Sequence, residues 1–226
     1  MSYRVLNSIS VKNLSGKELA KDKSSLLVVL VDKTAKKNDL LVHLDKVSNG
    51  SLLGSVNSLM KSKAKSLNLH SVKGVSFKEI LLMKAPEKSD TYVWLNFFKS
   101  ISKVANSLGK QDISVMFACK NPENRDDNWM VEACSRQIES SAYIFGSSKN
   151  KTVVKPSLKR ASIIVGSVSA SSLKKLKNAA KVGFAAGEGM NAAKHLGDMP
   201  ANLCTPRIIE KKVKALKKPF PKMRRN

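Results

Sequence analysis

Two short runs constrain the fold of this chain more than anything else in it. Leu26-Leu27-Val28-Val29-Leu30-Val31 is apolar at every position, and Ile113-Ser114-Val115-Met116-Phe117-Ala118 nearly so. Successive side chains of a strand point to opposite faces, so a strand apolar on both faces must be covered on both. Such runs suit the centre of a sheet that lies between two layers. Further strands are expected at residues 3–9, 40–44, 80–83 and 162–168.

Helical patterns fill the intervals. In residues 92–108 the apolar positions Trp94, Phe97, Phe98, Ile101, Val104, Ala105 and Leu108 mark one face of a 3.6-residue period. Asp90 or Thr91 can cap its start, and Gly109 follows its end. Residues 128–145 present Val131, Cys134, Ile138, Ala142 and Phe145, with Asp126 and Asp127 at the amino end, where they suit both capping and the helix dipole. A weaker pattern, Leu52, Val56, Leu59, Met60 and Ala64, suggests a helix over residues 51–67. Strands alternating with helices in this way indicate an α/β fold, a mixed β-sheet flanked by helices.

After Lys149 the texture changes. Residues 149–160 are basic, polar and interrupted by Pro156. One more strand follows, then a long segment, 170–197, rich in Ala and Lys, with Leu173, Leu176, Ala180 and Phe184 in helical register. Gly183, Gly187 and Gly189 oppose a helix there, each costing about 1 kcal/mol against Ala. A helix is still expected, leading out of the compact domain.

Charge and cysteine usage bound the remaining possibilities. Lysines and arginines number 41 against 17 acids, a formal net charge of +24. The excess eases contact with polyanions such as DNA. It is spread along most of the chain, which suits a general compositional bias and a solvated surface. Cys119, Cys134 and Cys204 are odd in number and none form a C-x-x-C pair, against a disulfide framework or a structural zinc site. No apolar run approaches a membrane span of about 20 residues, and residues 1–20 lack the apolar core of a secretory signal. A soluble, cytoplasmic protein is expected, with no membrane partner.

The most informative stretch runs from Ala186 to Pro206. Gly189, Asn191, Lys194 and Leu196 fit a pattern G-x-N-x-x-(R/K)-x-L, and Pro200, Asn202, Thr205 and Pro206 fit P-x-N-x-x-T-P. In physical terms this is a joint. Pro200 ends the long helix, Asn202 suits a turn, Thr205 caps the next helix and Pro206 takes its first position. Ile208, Ile209 and Val213 then open a new apolar face.

Both halves together resemble the linker of the leucyl aminopeptidase (cytosol aminopeptidase) family. The resemblance implies three parts. Residues 1–168 would be the N-terminal macro-like α/β domain, residues 169–199 the linker helix, and residues 200–226 the start of the catalytic domain. Family members release N-terminal amino acids from peptides with two divalent metals, manganese or zinc, held by a lysine, aspartates and a glutamate of the C-terminal domain. The family hallmark Asn-Thr-Asp-Ala-Glu-Gly-Arg is absent from this chain. No residue here is therefore assigned a catalytic, metal-ligating or cofactor-binding role, and the chain by itself is expected to be an inactive, truncated aminopeptidase. The run from Lys217 to Asn226, out of family register, is read as the result of a frameshift or early stop, with a short paralogue as the alternative. The resemblance also implies homo-oligomers, trimers within a hexamer, and in some members DNA binding.

Other residues invite plainer readings. His43, His70 and His195 lack H-x-x-H or H-E-x-x-H spacing, and His43 is expected on a strand as a surface or satisfied histidine. Cys119 and Cys134 read as small core residues. Gly187-Glu188-Gly189 lies in the linker and not in a metal site. No G-x-x-x-x-G-K-[ST] or strand-linked G-x-G-x-x-G supports nucleotide binding through those motifs. The acids around Glu123 and Asp127 suit a capping loop rather than a calcium site.

Overall fold

The structure, a computed structural model, describes residues 4–145 and 156–216. Within them, β1 (Ser8–Asn13), β2 (Leu26–Val31), β3 (Ser66–His70), β4 (Glu79–Lys84), β5 (Asp112–Ala118) and β6 (Arg160–Val165) form one sheet. The spatial order is β1-β6-β5-β2-β4-β3. All neighbours are parallel except β3, which runs antiparallel to β4. The helices are α1 (Gly16–Ala20), α2 (Asp39–Val47), α3 (Ser51–Lys61), α4 (Thr91–Ser107), α5 (Asp127–Ser141), α6 (Ala170–Asp198) and α7 (Pro206–Leu216). This is the mixed, helix-flanked sheet expected.

The period of two along β2 divides the interior into two cores. Leu26, Val28 and Leu30 pack with Trp94, Phe98 and Ile101 of α4 and with Val131 and Cys134 of α5. Leu27, Val29 and Val31 pack with Leu41 and Leu44 of α2 and Leu52 and Val56 of α3. All six β2 side chains are fully buried. Complete burial of each contributes about 1.5–3 kcal/mol, so β2 is where the layers are held together.

Four expectations need correction. Residues 40–44 are not a strand but the first half of α2. Leu40, Leu41 and Leu44 are buried on one helical face, and the Asn38 side chain accepts the Leu41 amide at 3.0 Å as an N-cap. The helix expected over residues 51–67 ends at Lys61. Ser62 turns extended (ψ 165°), and Leu67 and Leu69 then alternate along the edge strand β3. The first strand lies at residues 8–13, not 3–9. The amides of Val5 and Leu6 are taken by the Glu139 carboxylate, at 2.6 and 3.0 Å, instead of a strand neighbour. The last strand stops at Val165, because Ser167 adopts a left-handed backbone (φ 46°). The expected helices at 92–108 and 128–145 are present as α4 and α5, the latter ending at Ser141.

The long helix forms unbroken over 29 residues. Its glycines are explained by what lies against them. A Cβ on Gly183 would stand 2.1 Å from the Glu132 carbonyl oxygen, and one on Gly187 would stand 2.8 Å from that of Arg136. The two glycines let α6 lie directly on the backbone of α5, and that close approach offsets their poor helix propensity.

Candidate functional site

Two places gather polar groups in a manner that needs explanation. The first is a crevice at the carboxyl ends of the central parallel strands. The connection leaving β2 goes to α2 and α3 on one face of the sheet, while β4 leads to α4 on the other. Connections diverging in this way open a cleft at the strand ends, the usual location of ligands in α/β sheets. Asp32, Lys33, Lys84, Pro86, Lys88 and Lys120 are among the residues around its approximately 390 Å³.

Asp32 braces this mouth. Its Oδ1 accepts the amide and the hydroxyl of Thr34, both at 2.6 Å, and its Oδ2 accepts the Lys120 amide at 2.9 Å. The Trp94 indole N–H donates to the Lys88 carbonyl at 3.0 Å, and the Glu123 amide to Ser89 Oγ at 3.2 Å. The loops after β2, β4 and β5 are thus tied to fixed positions.

The second place is the seam between α5 and α6. Glu139 is fully buried. Besides the Val5 and Leu6 amides it accepts the Asn191 side-chain amide at 3.1 Å. One carboxylate therefore joins the start of the chain, α5 and α6. Burial pushes its pKa above the ordinary value, with neighbouring Glu188 acting in the same direction and the two backbone donors against it. Lys194 Nζ donates to the Ser140 carbonyl at 2.5 Å and to Ser140 Oγ at 2.7 Å, capping the end of α5. Burial lowers the Lys194 pKa, and Lys99 adds to the effect. Arg4 pairs with Glu188 at 3.0 Å and lies over the Phe184 ring.

The sequence motif therefore divides by role. Asn191 and Lys194 hold α6 to α5, whereas a Cβ on Gly189 would meet open space and Asn202 is exposed. At the joint, the Thr205 hydroxyl accepts the Ile208 amide at 3.4 Å and Pro206 occupies the first position of α7, as expected. Cys204 Sγ donates to the Leu196 carbonyl at 3.4 Å, tying the turn to α6. The run from Lys217 to Asn226 and residues 149–155 of the basic segment lie outside the described residues.

The remaining candidates do not converge. His43 lies on α2, not on a strand, with its ring where a Gly16 side chain would be. His70 is on β3 beside Asn68, and His195 is on α6 against Phe145, its pKa lowered by burial and by Lys212. Burial, with Asp32 nearby, raises the Cys119 thiol to about 12, and burial raises Cys134 further; neither is a nucleophile at neutral pH. No group of three or more His, Cys, Asp or Glu able to hold a metal ion occurs among the described residues. Among the described residues nothing is arranged to hold a two-metal centre. Sequence reasoning missed Glu139, which sits next to Ile138 in an amphipathic helix and has no local signature. It also missed the crevice lysines, which do not stand out in a lysine-rich chain.

No family model matches the chain. The "Probable cytosol aminopeptidase" of Aromatoleum aromaticum is 28% identical over 204 residues, covering 88% of this chain and 40% of that protein. The "Cytosol aminopeptidase" of Buchnera aphidicola subsp. Acyrthosiphon pisum is 23% identical over 205 residues, covering 89% and 40%. Among solved structures, a mutant tomato leucine aminopeptidase superposes with a TM-score of 0.65 at 20% identity, over 95% of this chain and 42% of that one. A Trypanosoma brucei macrodomain in complex with ADP superposes with a TM-score of 0.54 at 9% identity, over 77% and 70%. Both likenesses are likenesses of fold, and the fold is macrodomain-like. Over most of its length the chain is a homologue of the cytosol aminopeptidases, and it spans about 40% of the length of those it matches.

Proposed function

We propose that this polypeptide is the non-catalytic N-terminal part of an aminopeptidase-type protein. Residues 1–168 serve as an α/β domain, residues 169–199 as the helix that carries the chain away from it, and residues 200–226 as the entry to a further domain. The observation that carries this reading is the α5–α6 seam. The chain uses Gly183, Gly187, Asn191 and Lys194 to fix one long helix against the domain, which sets the direction in which α7 leaves. The homologues' shared name, cytosol aminopeptidase, supports an aminopeptidase ancestry and a cytosolic location, and the family resemblance carried by residues 186–206 extends this reading to metal dependence and homo-oligomers in the whole protein. No helix among the described residues is long and apolar enough to cross a membrane.

By itself the 226-residue chain lacks peptidase activity in this reading. The test is release of p-nitroaniline from leucine p-nitroanilide with manganese or zinc added. Turnover that a chelator abolishes would overturn it.

A second reading, duplex DNA binding, rests on the +24 charge and on the exposed lysines 174, 175, 177 and 181 of α6. It requires binding that weakens steeply with salt, because phosphate contacts release counterions. Absence of binding at low salt rules it out.

A further inference from the structure

The crevice at the ends of β2, β4 and β5 has no part in that reading. Four lysines line it, Lys33, Lys84, Lys88 and Lys120, against two carboxylates, Asp32 and Glu87. Lys84 is already engaged, since its Nζ donates to the Ser62 carbonyl at 2.9 Å. Asp32 is engaged by Thr34 and by the Lys120 amide. Lys33, Lys88 and Lys120 remain, one from each of the three loops, and none forms an ion pair among the described residues.

Their backbones are held in place. Lys88 is held through its carbonyl by the Trp94 indole, Lys120 through its amide by Asp32, and Lys33 lies between Asp32 and Thr34, which are bonded to each other. Three cations on fixed loops around a concave mouth focus potential into it more than the same charges on a convex face. The walls also offer apolar surface from Met60, Pro86 and Pro122, and the volume falls in the range that takes small ligands. The excess of two positive charges matches a phosphate ester of about −1.5 to −2 at neutral pH.

We propose that this crevice binds a small phosphomonoester. Its phosphate lies among the Lys33, Lys88 and Lys120 ammonium groups, and its organic part rests against Met60 and Pro86. The lysine side chains are exposed, so the affinity falls with ionic strength.

The test is calorimetric titration of the whole chain at low salt with phenyl phosphate, inorganic phosphate and phenol. Phenyl phosphate binds saturably at one site, inorganic phosphate more weakly, and phenol not at all. The variant K33Q/K88Q/K120Q weakens phenyl phosphate binding by about tenfold, whereas K174Q/K177Q/K181Q, with the same charge removed from the outer face of α6, changes it by less than about twofold. Equal weakening by the two variants would mean that the ligand senses only the overall charge, and would overturn the proposal. So would the absence of saturable binding, or binding of phenol as tight as that of phenyl phosphate. Thermal unfolding of each variant checks that the fold is kept. If the triple variant unfolds, the single changes K33Q, K88Q and K120Q replace it, each expected to weaken binding by about threefold.

Discussion

The Asn191 side chain on α6 donates a 3.1 Å hydrogen bond to the Glu139 carboxylate on α5, and both residues are fully buried. Because Glu139 also accepts the Val5 and Leu6 amides, this bond ties the linker helix to the beginning of the chain. Glu139→Ala leaves one buried and one half-buried backbone donor and one side-chain amide without their acceptor. It should destabilise the domain by about 3 kcal/mol or more, against about 1–2 kcal/mol for Asn191→Ala. The coupling between them, measured by urea unfolding in a double-mutant cycle, should be about 1 kcal/mol. Additive effects would mean that the bond contributes nothing.

Glu139 also makes stability depend on pH. Its folded pKa lies above the ordinary value of 4.5, so between the two the folded state binds more protons than the unfolded one. The stabilising contribution of the protonated form is present below 4.5 and is lost as pH rises through the folded value. Relative to Glu139→Gln, the wild type should therefore lose stability as pH rises from 4.5 toward neutral. A difference that stays constant across that range contradicts the assignment.

Asp22 behaves in the opposite way. Burial opposes its ionisation, but Lys12 at 2.6 Å and the Ser24 amide and hydroxyl outweigh that and hold its pKa below 3.8. Its stabilisation is present above 3.8 and is lost as pH falls through the lowered value. Asp22→Asn should be less stable than wild type at pH 7, and the gap should close in acid. Urea midpoints at both ends of the range check this.

The glycines of α6 should separate by environment. Gly183→Ala forces a methyl group into the Glu132 carbonyl and should cost about 1–3 kcal/mol. Gly189→Ala, in open space on the same helix, should stabilise by about 0.5–1 kcal/mol. Thermal unfolding of the two variants reads both signs directly.

Thiol reactivity should follow burial. Cys119, raised to about 12, and the buried Cys134 should resist iodoacetamide at pH 8, while the half-exposed Cys204 is alkylated first. Mass spectrometry of the labelled peptides gives the order, and faster labelling of Cys119 than of Cys204 would contradict it.

Much of the fold was legible where two-faced or one-faced burial left an unbroken period. This holds for the central strands at Leu26 and Ile113 and for α4 and α5. It failed where a cap rather than a period decides the matter. Leu40-Leu41-Val42-His43-Leu44 reads equally as strand or helix until Asn38 is recognised as an N-cap. The helix expected over residues 51–67 overruns the start of β3 because Ser62, which ends it, is a weak signal, and residues 68–70 carry no strand pattern long enough to stand out. Gly183 and Gly187 counted against α6 because helix-on-helix approach has no signature in a single sequence. Asn191 and Lys194 were legible as a motif, but not their partners Glu139 and Ser140, more than fifty residues away.

The central claim, that this chain is a folded, non-catalytic part of an aminopeptidase-type protein, is tested most directly by assaying the purified 226-residue polypeptide on leucine p-nitroanilide with manganese and with zinc. Its cooperative unfolding is recorded on the same sample. A cooperatively folded protein with no release of p-nitroaniline above a protein-free control is the predicted result. Metal-dependent release that a chelator abolishes and metal restores would contradict it.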